Sequence, residues 1–320
     1  MTPIEAIHER ARAKRRRILL PEGDDPRIRE GARCAREAGL ADVVLFGGTD
    51  VARETGCETI NLAALDRAPH AAAYHDLRRH KGVSEAQAAE MVENPLMLAA
   101  LMVRMGKADG TLAGAAHTTA DTVRAAIHVI GPAEDVSTVS SFFLMVLPAS
   151  DAEGPRAVIF SDCGLVVEPS AGELAEIALA SAVSWTQFTG EAPRVAMLSF
   201  STLGSARHAR VSHVTRALQL VRERKPDLVA SGELQFDAAF VPEIAASKAG
   251  NEEMQGDANV FVFPNLDAGN IGYKIAERIG RARALGPILQ GLAHPANDLS
   301  RGCSAQDVAD MIAVTALQVT

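Results

Sequence analysis

The amino-acid sequence predicts an α/β fold of two domains, each a mostly parallel sheet flanked by helices. Apolar strands at 17–21 and 41–46 enclose one helix at 26–38, which is the spacing of a βαβ unit. Both strands are apolar on both faces, as is typical of a parallel sheet that helices cover. The chain has 320 residues, which exceeds the size at which a single hydrophobic core usually stops growing.

In the first half of the chain, sequence signals mark where helices begin and end. A short amphipathic helix is expected before the first strand. The helix at 26–38 has Pro26 at its first position and Gly39 just past its end. Ser84 begins a capped helix, and another helix is expected at 95–105.

The second half of the chain adds two apolar strands that we expect to pair antiparallel. They lie at 138–148 and 156–163 and are joined by an acidic turn at 149–155, which is the pattern of a hairpin. Further on, two glycines and an asparagine in the segment 265–274 would let the backbone approach a ligand closely. The remaining predicted elements are helices at 169–185 and 211–225 and strands at 194–200, 228–230 and 259–264.

Composition argues against several classes of function. The formal net charge is -8, so the chain lacks the excess of cations that displaces counterions from a nucleic acid. No apolar run approaches the roughly 20 residues that span a bilayer, and no secretory segment follows the basic N-terminus. The four cysteines show neither a disulfide framework nor zinc spacing, so reduced thiols in the cytoplasm are expected.

A polar stretch near the C-terminus leads directly into an apolar-periodic helix. Ser304 stands at the N-cap position, and Asp307, three residues later, completes the pattern of a capping box. Ser300, Arg301 and Cys303 lie just ahead of this helix, where unpaired N–H groups and the helix dipole favour an anion or a thiolate. A helix cap alone would explain the last serine and the aspartate, but it needs none of the Ser-Arg-Gly-Cys residues.

Other hydroxyls and cations lie at predicted helix starts and strand ends. Thr118 and Thr119 precede a helix that carries Arg124 about one turn inside, although a threonine cap with an exposed arginine has the same pattern. The basic group at 78–81 is typical of solvated surface when taken by itself. The Ser/Thr/Gly loop at 201–205 follows a strand, where ligands collect in open α/β sheets and where ordinary loops also occur. Two helix starts with hydroxyls and an arginine together favour an anion-binding cleft.

Seven short segments are spread over nearly the whole chain. They are Leu20-Pro-Glu-Gly23, Asn297-Asp-Leu-Ser-Arg-Gly-Cys-Ser304, and the runs at 114–124, 138–145, 197–202, 267–274 and 286–291. In this order they resemble the phosphate acetyltransferases and the related phosphate butyryltransferases. The sequence is more similar to the acetyl than to the butyryl enzymes, and it departs from the family pattern at Ala120 and at 163–169.

The resemblance implies reversible acetyl transfer between acetyl phosphate and coenzyme A, by direct attack of the thiolate in a ternary complex. Coenzyme A would be a substrate, with no metal ion or organic cofactor. Residues 1–136 with 294–320 would form the first α/β domain and 137–293 the second, with the active-site cleft between them. The C-terminal helix would complete the first domain, and the enzyme would be a homodimer with neither nucleic-acid nor membrane partners.

The resemblance also implies roles for particular residues. Asp307 would take the thiol proton, Ser300 would hold the sulfur by a hydrogen bond, and Arg301 would neutralise charge on the acyl phosphate. A carboxylate at a helix N-terminus is a weak base, whereas burial in a closed cleft would strengthen it. The residues expected to bind phosphate or coenzyme A are Arg78, Arg124, Thr118, Thr119, Cys303, Ser201, Thr202, Asn270 and Lys274.

Four other interpretations stay open. A butyryltransferase-like enzyme would take a longer acyl chain, and the sequence does not fix that length because one methylene is worth only about 1 to 3 kcal/mol. A non-catalytic acyl-CoA-sensing domain would not need Ser300, Arg301 and Asp307 together. Cys303 could instead form an acetyl-enzyme as a nucleophile. A metal-dependent decarboxylating dehydrogenase rests on the two-domain layout alone.

Overall fold

Two β-sheets organise the chain, and each belongs to its own unit. The computed structural model describes residues 1–149, 154–248 and 253–319. Ile4–Asp135 and Leu292–Thr320 form one unit, called the terminal unit below. Val136–Gly291 forms the other with Met1–Pro3, and is called the central unit. Each sheet is mostly parallel and is flanked by helices, which confirms the predicted fold class.

The terminal unit begins with the alternation of strands and helices that the sequence predicts. Ser84 forms the expected capping box with Gln87, and Pro26 starts its helix behind the cap residue Asp25. A 3-10 turn at Arg79–Lys81 and a π-helical turn at Ala126–Ile130 interrupt the pattern. The elements are α1 (Pro3–Arg12), β1 (Arg17–Leu20), α2 (Pro26–Glu37), β2 (Asp42–Phe46), α3 (Thr49–Thr55), β3 (Glu58–Ile60), α4 (Ala68–Arg78), α5 (Glu85–Met91), α6 (Pro95–Arg104), β4 (Gly110–Ala113) and α7 (Thr119–Ala125).

The central unit opens with the predicted antiparallel hairpin. Its sheet has the order β10-β5-β6-β9-β7-β8, in which β6, β9, β7 and β8 run parallel and β5 is antiparallel to both of its neighbours. Within the hairpin, residues 150–153 of the predicted acidic turn lie outside the described residues. The elements are β5 (Ser140–Leu147), β6 (Arg156–Ser161), α8 (Ala171–Thr189), β7 (Arg194–Leu198), α9 (Ala209–Arg224), β8 (Val229–Leu234), α10 (Phe236–Phe240), α11 (Pro242–Lys248), β9 (Val260–Val262), α12 (Leu266–Arg278) and β10 (Arg283–Gln290).

One segment of the central unit differs from the expectation. Residues 265–274 are most of helix α12, which the side chain of Asn265 caps. A Cβ at Gly269 would overlap the carbonyl oxygen of Asp162, so this glycine lets the helix pack closely against the protein's own backbone. The prediction that the glycine admits a ligand is therefore wrong at this position, because the space is filled by the chain itself.

The C-terminal segment returns to the terminal unit. β11 (Ala296–Asp298) pairs with β4, and α13 (Ala305–Gln318) follows it. The terminal sheet is parallel throughout, with the order β11-β4-β1-β2-β3. α13 packs against α2 at Gly31, where a Cβ would collide with Val308. The polar stretch ahead of α13 thus contains a strand that no sequence pattern revealed. Among the described helices, none has the length and apolar character required to cross a membrane.

Candidate active site

The Ser-Arg-Gly-Cys run forms a tight turn between β11 and α13. The backbone N–H of Cys303 donates to the carbonyl oxygen of Ser300 at 2.9 Å, and the N–H of Gly302 donates to the Ser300 hydroxyl oxygen at 3.2 Å. Ser300 and Arg301 are exposed. Because the Ser300 oxygen accepts a hydrogen bond from the chain, its own proton is left to donate to a ligand.

Ser304 and Asp307 form the predicted capping box of α13. The N–H of Asp307 donates to the Ser304 hydroxyl oxygen at 3.2 Å. In return, Oδ2 of Asp307 accepts the N–H of Ser304 at 3.0 Å and its hydroxyl at 2.8 Å. The aspartate is half-buried. It therefore serves as a helix cap, and its further role as a base stays a prediction.

Arg27, which no sequence pattern singled out, connects this turn with the loop before α7. Its guanidinium donates to the carbonyl oxygen of Arg301 at 2.6 Å and to that of Ala115 at 2.7 Å. Asp25 holds Arg27 by a salt bridge of 2.7 Å, and the arginine keeps the pKa of the Asp25 carboxyl below its ordinary value. The two loops are therefore neighbours within the terminal unit.

The loop before α7 is shaped by the buried carboxylate of Glu22. The two oxygens of Glu22 accept four consecutive backbone N–H groups, those of residues 114–117, at 2.9 to 3.0 Å. Nδ1 of His117 lies 2.6 Å from the same carboxylate. Glu22 comes directly after β1 in the Leu-Pro-Glu-Gly segment, so its function in the structure is to fix the conformation of this loop.

Asp298, the last residue of β11, lies beside the same loop. Its Oδ2 accepts the hydroxyl of Thr119 at 2.7 Å. Its Oδ1 is buried and has no hydrogen-bond partner among the described residues. Burial raises the pKa of Asp298 to about 6; the hydroxyls of Thr119 and Thr122 oppose this shift and the charge of Glu22 adds to it. No sequence pattern marked this carboxyl, because its burial results from strand pairing.

Arg301 lies near the start of α7, the helix on which Arg124 also stands. The charge of Arg301 lowers the pKa of Asp298, and Asp298 accepts the hydroxyl of Thr119, the first residue of α7. Arg124 is one and a half turns further along this helix, about 7 to 8 Å along its axis. Thr118 is the cap residue of the same helix. The structure therefore brings these predicted residues into one region of the terminal unit.

The predicted arginines Arg78 and Arg124 both lie near His128. Burial lowers the pKa of His128, and so do three nearby positive charges. These charges belong to Arg78, Arg124 and Lys81. Arg124 pairs with Asp121 at 2.8 Å, whereas the Nε of Arg78 is buried without a hydrogen-bond partner in the described part of the chain. The cluster is therefore cationic and suited to a polyanion.

Cys303 is buried, and burial raises the pKa of its thiol. The charge of Arg27 opposes this shift, while the nearby acids Asp307, Asp25 and Glu22 add to it. The sequence predicts a lowered pKa from the helix N-terminus and from Arg301. That prediction is wrong because loss of hydration outweighs the favourable charges.

The predicted residues Ser201 and Thr202 lie in the central unit and are buried. The Ser201 hydroxyl donates to Oε1 of the buried Glu233 at 2.7 Å. The Thr202 hydroxyl oxygen accepts the N–H of Gln235 at 3.0 Å. Both hydroxyls therefore hold the loop between β7 and α9 in place, and their contact with a substrate stays a prediction.

Asn270 and Lys274 lie one turn apart on α12. The ammonium group of Lys274 donates to the side-chain oxygen of Asn270 at 2.7 Å. The amide of Asn270 donates to the carbonyl oxygen of Cys163 at 3.0 Å. Lys274 is exposed and remains a candidate for phosphate binding.

In the ranges that the structure describes, no three His, Cys, Asp or Glu side chains are grouped to hold a metal ion.

The chain matches known proteins over its whole length. The family model described as Phosphate acetyl/butaryl transferase matches residues 3–316. The phosphate acetyltransferase of Paracoccus denitrificans is 50% identical over 319 residues, which is 99% of each chain. A phosphotransacetylase from Streptococcus pyogenes has a TM-score of 0.91 at 38% identity, over 99% of this chain and 98% of that one. The EutD phosphotransacetylase from Staphylococcus aureus has a TM-score of 0.89 at 40% identity, with the same shares covered.

Proposed function

The chain belongs to the phosphate acetyl/butaryl transferase family, and we propose that it transfers an acetyl group reversibly between acetyl phosphate and coenzyme A. The full-length identity of 50% to the phosphate acetyltransferase of Paracoccus denitrificans is the observation that carries this activity. The enzyme is an acyltransferase, and coenzyme A is its substrate. The turn at 300–303 in the terminal unit supplies the side chains for the chemistry.

The first step is deprotonation of the coenzyme A thiol. A free thiol attacks poorly while it is protonated, so a base must accept its proton. We assign this base to Asp307, in the first turn of α13. The Ser300 hydroxyl, whose oxygen already accepts the N–H of Gly302, donates its hydrogen to the sulfur and stabilises the thiolate.

The second step is attack of the thiolate on the carbonyl carbon of acetyl phosphate. The S–C bond forms, the C–O bond to phosphate breaks, and phosphate leaves with the electron pair and takes up the proton that Asp307 removed from the thiol, which gives the phosphate dianion. We assign to Arg301 the neutralisation of the charge that develops on the oxygens, and this assignment is supported by the lack of a salt bridge between its guanidinium and any residue that the structure describes. A donor aimed at such charge is worth about 3 to 4 kcal/mol.

The cations around His128 are proposed to bind the phosphates of the substrates. Arg78 has a buried Nε without a partner among the described residues, and a planar guanidinium fits phosphate oxygens with two parallel hydrogen bonds. Arg124 supplies a second guanidinium from α7. Thr118 and Thr119 add hydroxyls at the start of that helix.

Direct transfer is favoured over an acetyl-enzyme on Cys303. A nucleophilic cysteine needs a lowered thiol pKa, whereas burial raises the pKa of Cys303. The variant Cys303→Ala should therefore keep acetyl transfer. Loss of turnover in that variant, with coenzyme binding intact, would support the covalent route instead.

An assay of acetyl-CoA formation from acetyl phosphate and coenzyme A tests the proposal. Asp307→Asn should lower kcat by at least about a hundredfold, because the base is lost, and should change the KM for coenzyme A far less. Glu173→Gln is the matched control, since Glu173 completes the same kind of capping box with Ser170 at the start of α8. A drop in kcat of less than about tenfold in Asp307→Asn would show that Asp307 is a cap only.

The same assay separates the remaining alternatives. Faster turnover of butyryl than of acetyl phosphate would identify a butyryltransferase-like enzyme. Coenzyme binding without turnover of any acyl phosphate would identify a sensing domain and overturn the proposed reaction.

We also propose that the enzyme is a homodimer in the cytoplasm. Three isoleucines spaced by four residues form an exposed apolar stripe on α12, and exposed stripes of this kind commonly mark protein interfaces. They are Ile271, Ile275 and Ile279, which are 58%, 53% and 79% exposed. All four cysteines are free thiols, which agrees with a reducing compartment. Light scattering of the purified chain should give twice the mass of one chain.

A further inference from the structure

The carboxyl of Asp298 reaches solvent only through another side chain. Asp298 itself is fully buried at the end of β11, whereas Thr119, whose hydroxyl donates to Oδ2 at 2.7 Å, is exposed. Thr119 thus has one side toward the buried acid and another toward solvent. The acid is therefore linked to a substrate bound at Thr119 through this hydroxyl.

The second oxygen of Asp298 has no compensating contact. Oδ1 is buried without a hydrogen-bond partner among the described residues, and a Cβ at Gly114 would overlap it. An ionised carboxylate with a buried, unpaired oxygen is costly, so this environment favours the neutral acid. Burial accordingly raises the pKa of Asp298 to about 6. The Asp298 carboxyl therefore changes between its neutral and its ionised form in the pH range near its pKa of about 6.

We propose that Asp298 is a positioning residue that sets the direction of the Thr119 hydroxyl, and so decides whether Thr119 accepts from or donates to a phosphate group bound beside it. The proposal rests on the proposed function, which places a phosphate at Thr119. When Asp298 is ionised, it accepts the Thr119 hydrogen, and only oxygen lone pairs of Thr119 face solvent. When Asp298 is protonated, its O–H donates to the Thr119 oxygen, and the Thr119 hydrogen is free for the phosphate.

Binding of phosphate is therefore coupled to uptake of one proton from solvent by Asp298. A bound anion adds negative charge near the acid and favours the same protonated state. The groups that face Asp298 are Thr119 and Thr122 on α7, Glu22 after β1, and Arg301 in the turn after β11. His117 lies beyond Glu22, so a pH profile must be compared between variants and not interpreted alone.

The test measures the KM for inorganic phosphate in the direction that consumes acetyl-CoA, between about pH 5 and pH 8. Relative to Asp298→Asn, the KM of the wild type should rise by up to about tenfold per pH unit above the pKa of Asp298. The asparagine amide donates to the Thr119 oxygen at every pH, so this variant mimics the protonated acid. Comparing the two proteins at each pH cancels the ionisation of phosphate itself. The KM for acetyl-CoA should not show this difference.

Thr119→Val provides a second variant, and urea denaturation checks its folding because it removes a hydrogen-bond partner of the buried Asp298. Without the hydroxyl, the charge at position 298 acts on the phosphate only through space. The difference in the phosphate profile between Thr119→Val alone and Thr119→Val combined with Asp298→Asn should therefore be much smaller than the difference between the wild type and Asp298→Asn. Thr119→Ser should restore the wild-type profile. Parallel profiles of the wild type and Asp298→Asn, or a change in kcat alone, would overturn the proposal and leave Asp298 a structural residue.

Calorimetric titration of inorganic phosphate in two buffers of different ionisation enthalpy measures proton uptake without turnover. At about pH 7, above the pKa of Asp298, the wild type should take up close to one proton more than Asp298→Asn, and at about pH 5 this difference should vanish. Acetyl transfer without this uptake would overturn the role of Asp298 alone. Phosphate binding with proton uptake but no acetyl transfer would overturn the proposed reaction and keep the inference.

Discussion

Glu22 and Asp298 are two buried acids on either side of strand β4, and their surroundings differ. Glu22 follows β1 and Asp298 ends β11, the two neighbours of β4 in the terminal sheet. Glu22 accepts four backbone N–H groups and faces Nδ1 of His117. Asp298 has hydroxyls at one oxygen and no partner for the other among the described residues. Both acids are buried, and the number of donors distinguishes Glu22, which fixes the conformation of a loop, from Asp298, whose pKa burial raises.

The central unit supports this interpretation with a third buried acid. Asp162 accepts the backbone N–H groups of Gly164, Leu165 and Val166 at 2.7 to 3.1 Å. These residues lie directly after β6. A carboxylate with several amide donors thus fixes a loop after a strand in each unit.

Removal of the Glu22 side chain should have the largest effect. Glu22→Ala leaves four loop N–H groups without their acceptor, so we expect the free energy of unfolding to fall by about 3 to 5 kcal/mol in urea denaturation. Glu54→Ala is the control, because Glu54 makes an exposed salt bridge with Arg29 and should cost less than about 1 kcal/mol. Equal losses in the two variants would remove the distinction between donor-rich and ordinary acids.

Asp298→Asn should have a smaller effect that depends on pH. The folded-state pKa of about 6 lies above the ordinary value of 3.8, so the folded chain holds this proton more tightly than the unfolded chain. Stability from this group is therefore full below about pH 4 and is lost as pH rises toward 6, by up to about 3 kcal/mol. The unfolding free energy of the wild type relative to the variant should fall by this amount over that range.

Asp25→Asn is the control for that measurement, because the contribution of Asp25 to stability should change with pH in the opposite direction. The salt bridge to Arg27 lowers the pKa of Asp25, so its stabilisation is present above the ordinary pKa and is lost as pH falls. The difference in unfolding free energy between the wild type and Asp298→Asn could also be the same at about pH 4 and pH 6. That result would show that the Asp298 carboxyl is not desolvated.

The smallest expected effect concerns His128, whose pKa is lowered by burial and by the nearby positive charges. A bound polyanion would offset those charges and favour protonation, so affinity for coenzyme A should rise as pH falls. We expect a change of about two- to fivefold, the effect of one partly screened charge. His128→Asn should abolish the change and His294→Asn should keep it. The same pH dependence in both variants would place the coenzyme phosphates away from this cluster.

Most of the fold is accessible from sequence because its signals are local. Caps such as Ser84 and Ser304 depend on residues within one helical turn, and the structure contains both. The segment 265–274 is harder to interpret because glycines inside a helix look like those of a loop. Its helical state depends on the contact of Gly269 with a distant loop, which sequence spacing does not encode.

The site is less accessible because its electrostatics come from distant parts of the chain. Ser300, Arg301 and Asp307 are recognisable as a motif. The burial of Asp298 and the bridge made by Arg27 depend instead on strand pairing across nearly the full length of the chain. The burial of Cys303 is likewise not visible in the sequence. Its position ahead of a helix favours a thiolate, whereas its burial raises the pKa of the thiol.

Gly114 contacts both buried acids, Glu22 and Asp298. Its N–H donates to Glu22 at 2.9 Å, and the absence of a Cβ leaves room for the unpaired oxygen of Asp298. Its φ of +109° is also one that other residues rarely adopt. Substitution here would therefore disturb the loop anchor and the titrating group together, so natural variation cannot adjust one through this position without altering the other. Related sequences that keep both carboxyls should keep glycine at residue 114.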